Sequence, residues 1–495
     1  MDSLELEPQI KHSFKTSKYF TALSNERRIF ATPWHWYVHG LGMGQETTGF
    51  DPEKATQLLE ISLVLCQKTE STYHKFTHHL LKGIVATCEA LSSGAGLAPQ
   101  RVNEQFTKAI ELLPDHNSWE YARACALLTE ILVKLGQLES YRQKVHDHLT
   151  RALSIVAQLK PANQRLRYEQ AQLLANLLLA AGQAEFTDLL TLRQNNAETY
   201  GDQALQVATT IADVFYLGRG SAIIFTILGI IGQGKTVYSG QHNHLQKLLD
   251  IFDSKINNLS PRDSDGVHQG IDYYLFPLSL ILNAIAVLGC HDYLTYKRDW
   301  VAQAKSLFQV LAPASQASQI TFLLSALDNL GVLNYHIPDI TDCFYQCMTG
   351  YLNSTNGSQV DDYLRCTYLI NLAYQLGISD TIHPRVWSIL QDNVSRLLGS
   401  ESYLESTYGS SYMVTAYAIS AFDKVGKLDV LFGEKIGLPN AIRSFKDDPK
   451  VTAIHSPRTA FALIETGLKM RPLKSGDTLL LRNWKLANFP KLELR

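Results

Sequence analysis

From residue 52 onward apolar residues recur at i, i+3, i+4 and i+7 in segment after segment, as in ACALLTEILVKLG at 124–136, with little strict alternation. That period puts an apolar stripe along a helix and predicts an all-α chain. The segments also end alike, on a glycine after an apolar run, at Gly136, Gly182, Gly232, Gly289, Gly331, Gly377 and Gly426, with a looser match at Gly467. Intervals of 41 to 57 residues between these glycines hold two helices and their loops. Glycine supplies the left-handed conformation that stops a helix. The unit is therefore a helical hairpin.

About nine such units fit between residue 52 and the C-terminus, and they either close into α/α toroids or stack as an open α-solenoid. The variable period, and the lack of the small-residue signature of tetratricopeptide arrays, favour toroids. Turn-forming loops separate the units at 257–270, 353–359 and 444–450. The first of these is the best domain boundary. The chain then divides into an irregular segment at 1–50, a helical-hairpin domain at 51–260, and a toroid-like domain at 261–495. The aromatic cluster TPWHWYVHGLGMG at 32–44 is expected to be a packed loop or lid.

Composition narrows the function classes. Lys plus Arg (45) nearly balances Asp plus Glu (47), so no field of one sign recruits nucleic acid. Seven cysteines, most of them inside apolar runs, suit a reduced compartment. Cys343 and Cys347 share a helix face without a second ligand pair, which argues against zinc. The N-terminus is acidic where a signal peptide is basic, and the longest apolar run, 221–231, is about half of a bilayer span. These features predict a cytoplasmic protein without an integral membrane segment.

Three polar features interrupt the apolar pattern. Gly229 to Thr236 fits a phosphate-binding loop by spacing, but it occupies the slot that a hairpin stop fills elsewhere, and the strand-to-helix context of such loops is missing. The loop DSDGVHQGIDYYLFP places Asp263, Asp265, His268, Asp272, Tyr273 and Tyr274 at the mouth of an apolar helix. Asp361 and Asp362 open another such helix, where they complement its dipole or, if buried, must be paired or protonated. The histidine pairs His78/His79 and His242/His244 have no ligand partners at useful spacing.

The run Gln359-Val-Asp361-Asp362 resembles the DxDD acid motif of class II terpene cyclases, with Gln359 in place of the first Asp. Tyr408-Gly-Ser-Ser-Tyr412-Met-Val-Thr415 is similar to the aromatic segment W-H-x-S-P-Y-Y-x-T that follows it in bacterial copalyl-diphosphate-synthase-like enzymes. Ser456 to Leu463 resembles their E-E-T-A-Y-A-L helix, and Trp484 to Pro490 their closing L-W-x-x-K-x-L-Y-x-P. The four elements come in the family's order between 359 and 490.

The resemblance implies an isomerase or lyase of isoprenoid biosynthesis on a toroid scaffold. In such an enzyme a protonated Asp361, beside Asp362, would donate a proton to an alkene or epoxide of a linear isoprenoid. Tyr408, Tyr412, Tyr273 and Tyr274 would line the cavity with Asp272 and Gln359, and Mg2+ would accompany a substrate diphosphate. A dry carboxyl is a strong proton donor to carbon, and aromatic faces stabilise cations without attacking them. The alternative from another class is a non-catalytic α-solenoid that binds a protein or peptide in its groove. A sugar-active α/α barrel would need carboxylates paired across a cavity, such as Asp272 with Asp361.

Overall fold

The computed structural model describes residues 72–92, 99–114, 118–134, 136–191, 198–239, 242–257, 271–337, 339–357, 360–399 and the pairs 405–406 and 409–410. The described chain is all-helical apart from one ladder of two-residue strands, Glu405–Ser406 with Gly409–Ser410. Its helices are α1 (Thr72–Ser92), α2 (Pro99–Glu111), α3 (Ser118–Lys134), α4 (Arg142–Gln158), α5 (Gln164–Gln183), α6 (Thr187–Thr191), α7 (Tyr200–Thr209), α8 (Val214–Ile230) and α9 (Lys235–Tyr238). They continue as α10 (His244–Asn257), α11 (Asp272–Leu288), α12 (Trp300–Gln309), α13 (Pro313–Asn329), α14 (Leu333–His336), α15 (Ile340–Ser354), α16 (Val360–Gln375) and α17 (Pro384–Gly399).

Starts and stops are written locally. Asn163, Thr199, Asp213, Asp299 and Asp339 cap α5, α7, α8, α12 and α15, each accepting a backbone N–H two or three residues into the helix. Helices α3, α8, α11, α13 and α16 end at Gly136, Gly232, Gly289, Gly331 and Gly377, all left-handed with φ between 65° and 80°. At each, the following N–H reaches back five residues, as in Val332 to the Leu327 carbonyl at 3.0 Å, while the glycine N–H bonds three back. This double bond closes the last turn.

Helix α5 departs from the expected stop. Gly182 is helical and buried, and the same bonding pattern forms three residues later on Glu185 (φ 56°), with Phe186 N–H to the Ala181 carbonyl. Extending the helix delivers Phe186 into the core. A side chain in this conformation costs about 1–2 kcal/mol. Glu185→Gly is therefore expected to stabilise the fold by about 1 kcal/mol, and Gly331→Ala, which meets no neighbour within 4 Å, to destabilise it by about as much. Denaturant midpoints of the two variants check both signs.

The long apolar helices α3, α5, α8, α11, α13 and α16 form one layer in which each packs on the next in sequence, and α4, α7, α10, α12, α15 and α17 return between them. Contacts advance in parallel. Phe276 meets Phe322 and, seven residues on in each helix, Asn283 meets Asn329. Side-chain bonds accordingly join residues one repeat apart, such as Arg123–Glu169, Gln233–Leu190, Arg298–Asp253 and Arg365–Ser318. The closest pairing, α8 with α11, runs across the segment 258–270, where the sequence suggests a boundary.

Candidate functional site

The layer helices are so apolar that their few open positions stand out. In α11 Tyr273, Asn283 and Val287 are among them, with nearly buried Phe276 and Leu280 between them on the same three-four spacing. In α13 they include Ser315, Gln319, Phe322, Ser325 and Asn329; in α8, Phe215, Tyr216 and Arg219; in α16, Arg365 and Asn371, with Tyr368 nearly buried. One stripe per helix stays open, and parallel stacking sets the stripes side by side.

Aromatic rings run along this surface from helix to helix. Tyr168 of α5 lies 5.4 Å from Tyr216, Phe215 lies 4.9 Å from Tyr273 and 5.8 Å from Phe276, Phe276 lies 4.6 Å from Phe322, and Phe322 lies 5.7 Å from Tyr368. Arg219 spans two steps of the row, its guanidinium 4.9 Å from the Tyr168 ring and 5.7 Å from that of Phe276. Such contacts add to burial and fix ring orientation. Tyr273 donates to Asp213, the cap of α8, at 2.6 Å, and burial together with this carboxylate raises the phenol's pKa.

Asp362, expected beside a catalytic acid, is 2% exposed and serves as a hub of the α15–α16 connection. Its Oδ1 accepts from the Tyr351 hydroxyl at 2.8 Å and the Thr355 hydroxyl at 2.9 Å, with the Arg365 guanidinium 3.4 Å away. Thr355 in turn accepts the Gly357 N–H, and Arg385 donates to the Leu352 and Thr355 carbonyls. Burial and the Asp362 carboxylate raise the Cys366 thiol to about 12. The hub pins a loop.

Of the other expected site residues, Tyr273 lies on the aromatic row and Tyr274 is half-buried against the core. Asp272 and Asp361 open α11 and α16, two layer helices with α13 between them, but their side chains lie outside the described residues, as do Gln359, Tyr408 and Tyr412. The same holds for Asp263, Asp265, His268 and the 32–44 cluster.

The phosphate-loop pattern is a hairpin stop. Gly229 is inside α8, Gly232 is its left-handed end, and the N–H groups of Gly232, Gln233, Thr236 and Val237 all bond to backbone carbonyls. These four donors close the helix end and the turn after it instead of forming a cradle for phosphate. An open depression of about 600 Å3 lies elsewhere, between the starts of α15 and α17, lined by Asp339, Asp342, Tyr345, Asp380 and His383. Two of its three acids have local partners: Asp339 caps α15 and Asp342 accepts from Gln346. Among the described residues no group of three or more His, Cys, Asp or Glu could hold a metal ion, and no helix is long and apolar enough to cross a membrane.

The row Phe215, Tyr216, Phe322, Tyr368 is invisible in any one segment, because each helix contributes one or two rings and the partners stand about a repeat apart. A usable signal was present in the asparagines: Asn283 and Asn371 each stand six residues before a stop glycine, inside a local apolar run. No family model, curated protein or solved structure matches this chain.

Proposed function

We propose that this chain is a non-catalytic helical-repeat scaffold that holds a segment of another polypeptide on the open stripe of its layer helices. The observation that carries this is the aromatic row crossing five successive layer helices, from Tyr168 to Tyr368, with Tyr273, Phe215 and Phe322 partly open to solvent. A monomer core gains little from open aromatic side chains, whereas aromatics with Arg dominate the energetics of protein interfaces. The occupation of Asp362 by three donors gives that carboxylate a loop-holding role that needs no substrate. The balanced net charge favours recognition by shape and hydrogen bonding over steering by a field.

The test is selection of a random dodecapeptide library on the full chain, with Tyr273→Ala/Phe322→Ala as counter-selection. Peptides that bind the wild type and lose at least about tenfold in affinity on the double variant are expected. In parallel, the chain is incubated with geranylgeranyl diphosphate, farnesyl diphosphate and an epoxysqualene-like substrate. Cyclised product that disappears in Asp361→Asn overturns the scaffold reading and establishes the cyclase.

A further inference from the structure

Asn283 and Asn329 face each other across the groove between α11 and α13, and the Asn329 carboxamide donates to the Asn283 oxygen at 2.6 Å. A carboxamide carries two N–H donors and an oxygen with two lone pairs, so this single bond leaves both groups half used. Neither makes another hydrogen bond to a described residue. What the pair presents outward is an N–H of Asn283 and the oxygen of Asn329. Exchanging the nitrogen and oxygen of both amides leaves the same offer, one donor beside one acceptor. Both residues are half-buried, and their unpaired nitrogen and oxygen stay open to solvent, so a ligand that pairs both takes the place of water.

One donor and one acceptor at fixed spacing is the complement of the C=O and N–H that a single residue of an extended chain presents on one edge. Phe276 and Phe322 lie on the same groove, each seven residues before its asparagine, which is about 10 Å along the helices. An extended chain covers that distance in about three residues. The groove thus combines a main-chain contact with an apolar seat. Ser315, Gln319, Ser325 and the two asparagines lie along the open stripe beside the rings, and the Arg219 guanidinium stands 5.7 Å from the Phe276 ring. The asparagine pair itself is neutral, which suits a peptide main chain, since that needs no counter-ion.

We infer that the α11–α13 groove takes an extended polypeptide segment by its main chain. One residue pairs its C=O and N–H with Asn283 and Asn329, and an apolar side chain about three residues away rests on Phe276 and Phe322. Recognition is tolerant of sequence at the paired residue and selective at the apolar one. The inference rests on the scaffold reading and names the form of its occupant.

The experiment uses a synthetic dodecapeptide from the library selection, N-methylated at one position at a time, with binding measured to the full chain, to Asn283→Ala/Asn329→Ala and to Phe322→Ala. Methylation at one position is expected to weaken binding to the wild type about tenfold. The asparagine double variant should bind the unmodified peptide about tenfold more weakly and lose its sensitivity to that methyl group. Circular dichroism confirms that the variants keep their helices. If peptides bind in a Phe322-dependent way but the methyl scan is flat, or the asparagine variant binds as tightly as the wild type, the inference fails and the scaffold reading stands. If no enriched peptide depends on Phe322, both fail.

Discussion

Asp362→Ala is expected to destabilise the fold by about 3–5 kcal/mol, with the loss concentrated in α15, α16 and α17. The variant strips three donors at once. The Tyr351 hydroxyl is fully buried and keeps only the long contact to the residue 362 main-chain carbonyl, Arg365 loses its carboxylate, and Thr355 no longer ties the loop to the start of α16. Removing one partner of a buried pair leaves an uncompensated charge, which costs far more than the pair contributes when intact. Repeat proteins open locally, because each unit leans only on its neighbours. Amide hydrogen exchange should therefore rise sharply across 340–399 and hardly at all across 142–230. Asp362→Asn keeps an oxygen in the Oδ1 position, where Tyr351, Thr355 and Arg365 all donate, but loses the charge facing Arg365, and should fall between Asp362→Ala and the wild type. Uniform exchange in Asp362→Ala, or none, would contradict the hub role.

Gly218→Val is expected to cost about 3 kcal/mol and to abolish binding on the open stripe. Even a Cβ at Gly218 would meet Phe252 Cζ at 2.5 Å and Pro277 Cβ at 2.8 Å, closer than real contacts allow, so α10 and α11 must move off α8. Overpacking of this kind costs about 1–3 kcal/mol, more where the backbone must shift. Pro277 sits inside α11, where its ring fills the notch that Gly218 leaves. The functional cost follows from position, since Phe215 lies one turn before Gly218 and meets both Tyr273 and Phe276. Displacing α11 breaks the aromatic row at its centre. Denaturant unfolding reads the first effect and affinity for a stripe-binding peptide the second; a variant that loses stability but keeps full affinity would separate the row from binding.

The all-α class and the hairpin unit were legible because both are local: a 3.6-residue period and a left-handed glycine are properties of neighbouring residues. Of the expected stops within the described residues, five fall on such glycines and one shifts from Gly182 to Glu185, because burying Phe186 outweighs the strain of one left-handed residue; Gly426 and Gly467 lie outside the described residues. What a helix's open stripe touches is not local. Tyr273 could be singled out from its own segment, yet its meaning comes from Asp213 and Phe215, about sixty residues earlier. Asp362 was equally ambiguous in sequence, since a pair of acids at a helix start reads alike as dipole complement, proton donor or loop staple. The contacts with Tyr351, Thr355 and Arg365 that tie the loop come from residues three to eleven positions away and appear only in the fold.

In the proposed scaffold the open stripe of the layer helices is the binding face. Hydroxyl-radical footprinting of the full chain, with and without a selected dodecapeptide, tests it most directly, because tyrosine and phenylalanine report their own exposure. Tyr335 and Tyr345, 83% and 47% exposed on other elements, serve as internal controls. The peptide is expected to protect Tyr216, Tyr273 and Phe322 and to leave Tyr335 and Tyr345 labelled as before. Protection of Tyr335 or Tyr345 with Tyr273 and Phe322 unchanged would contradict it.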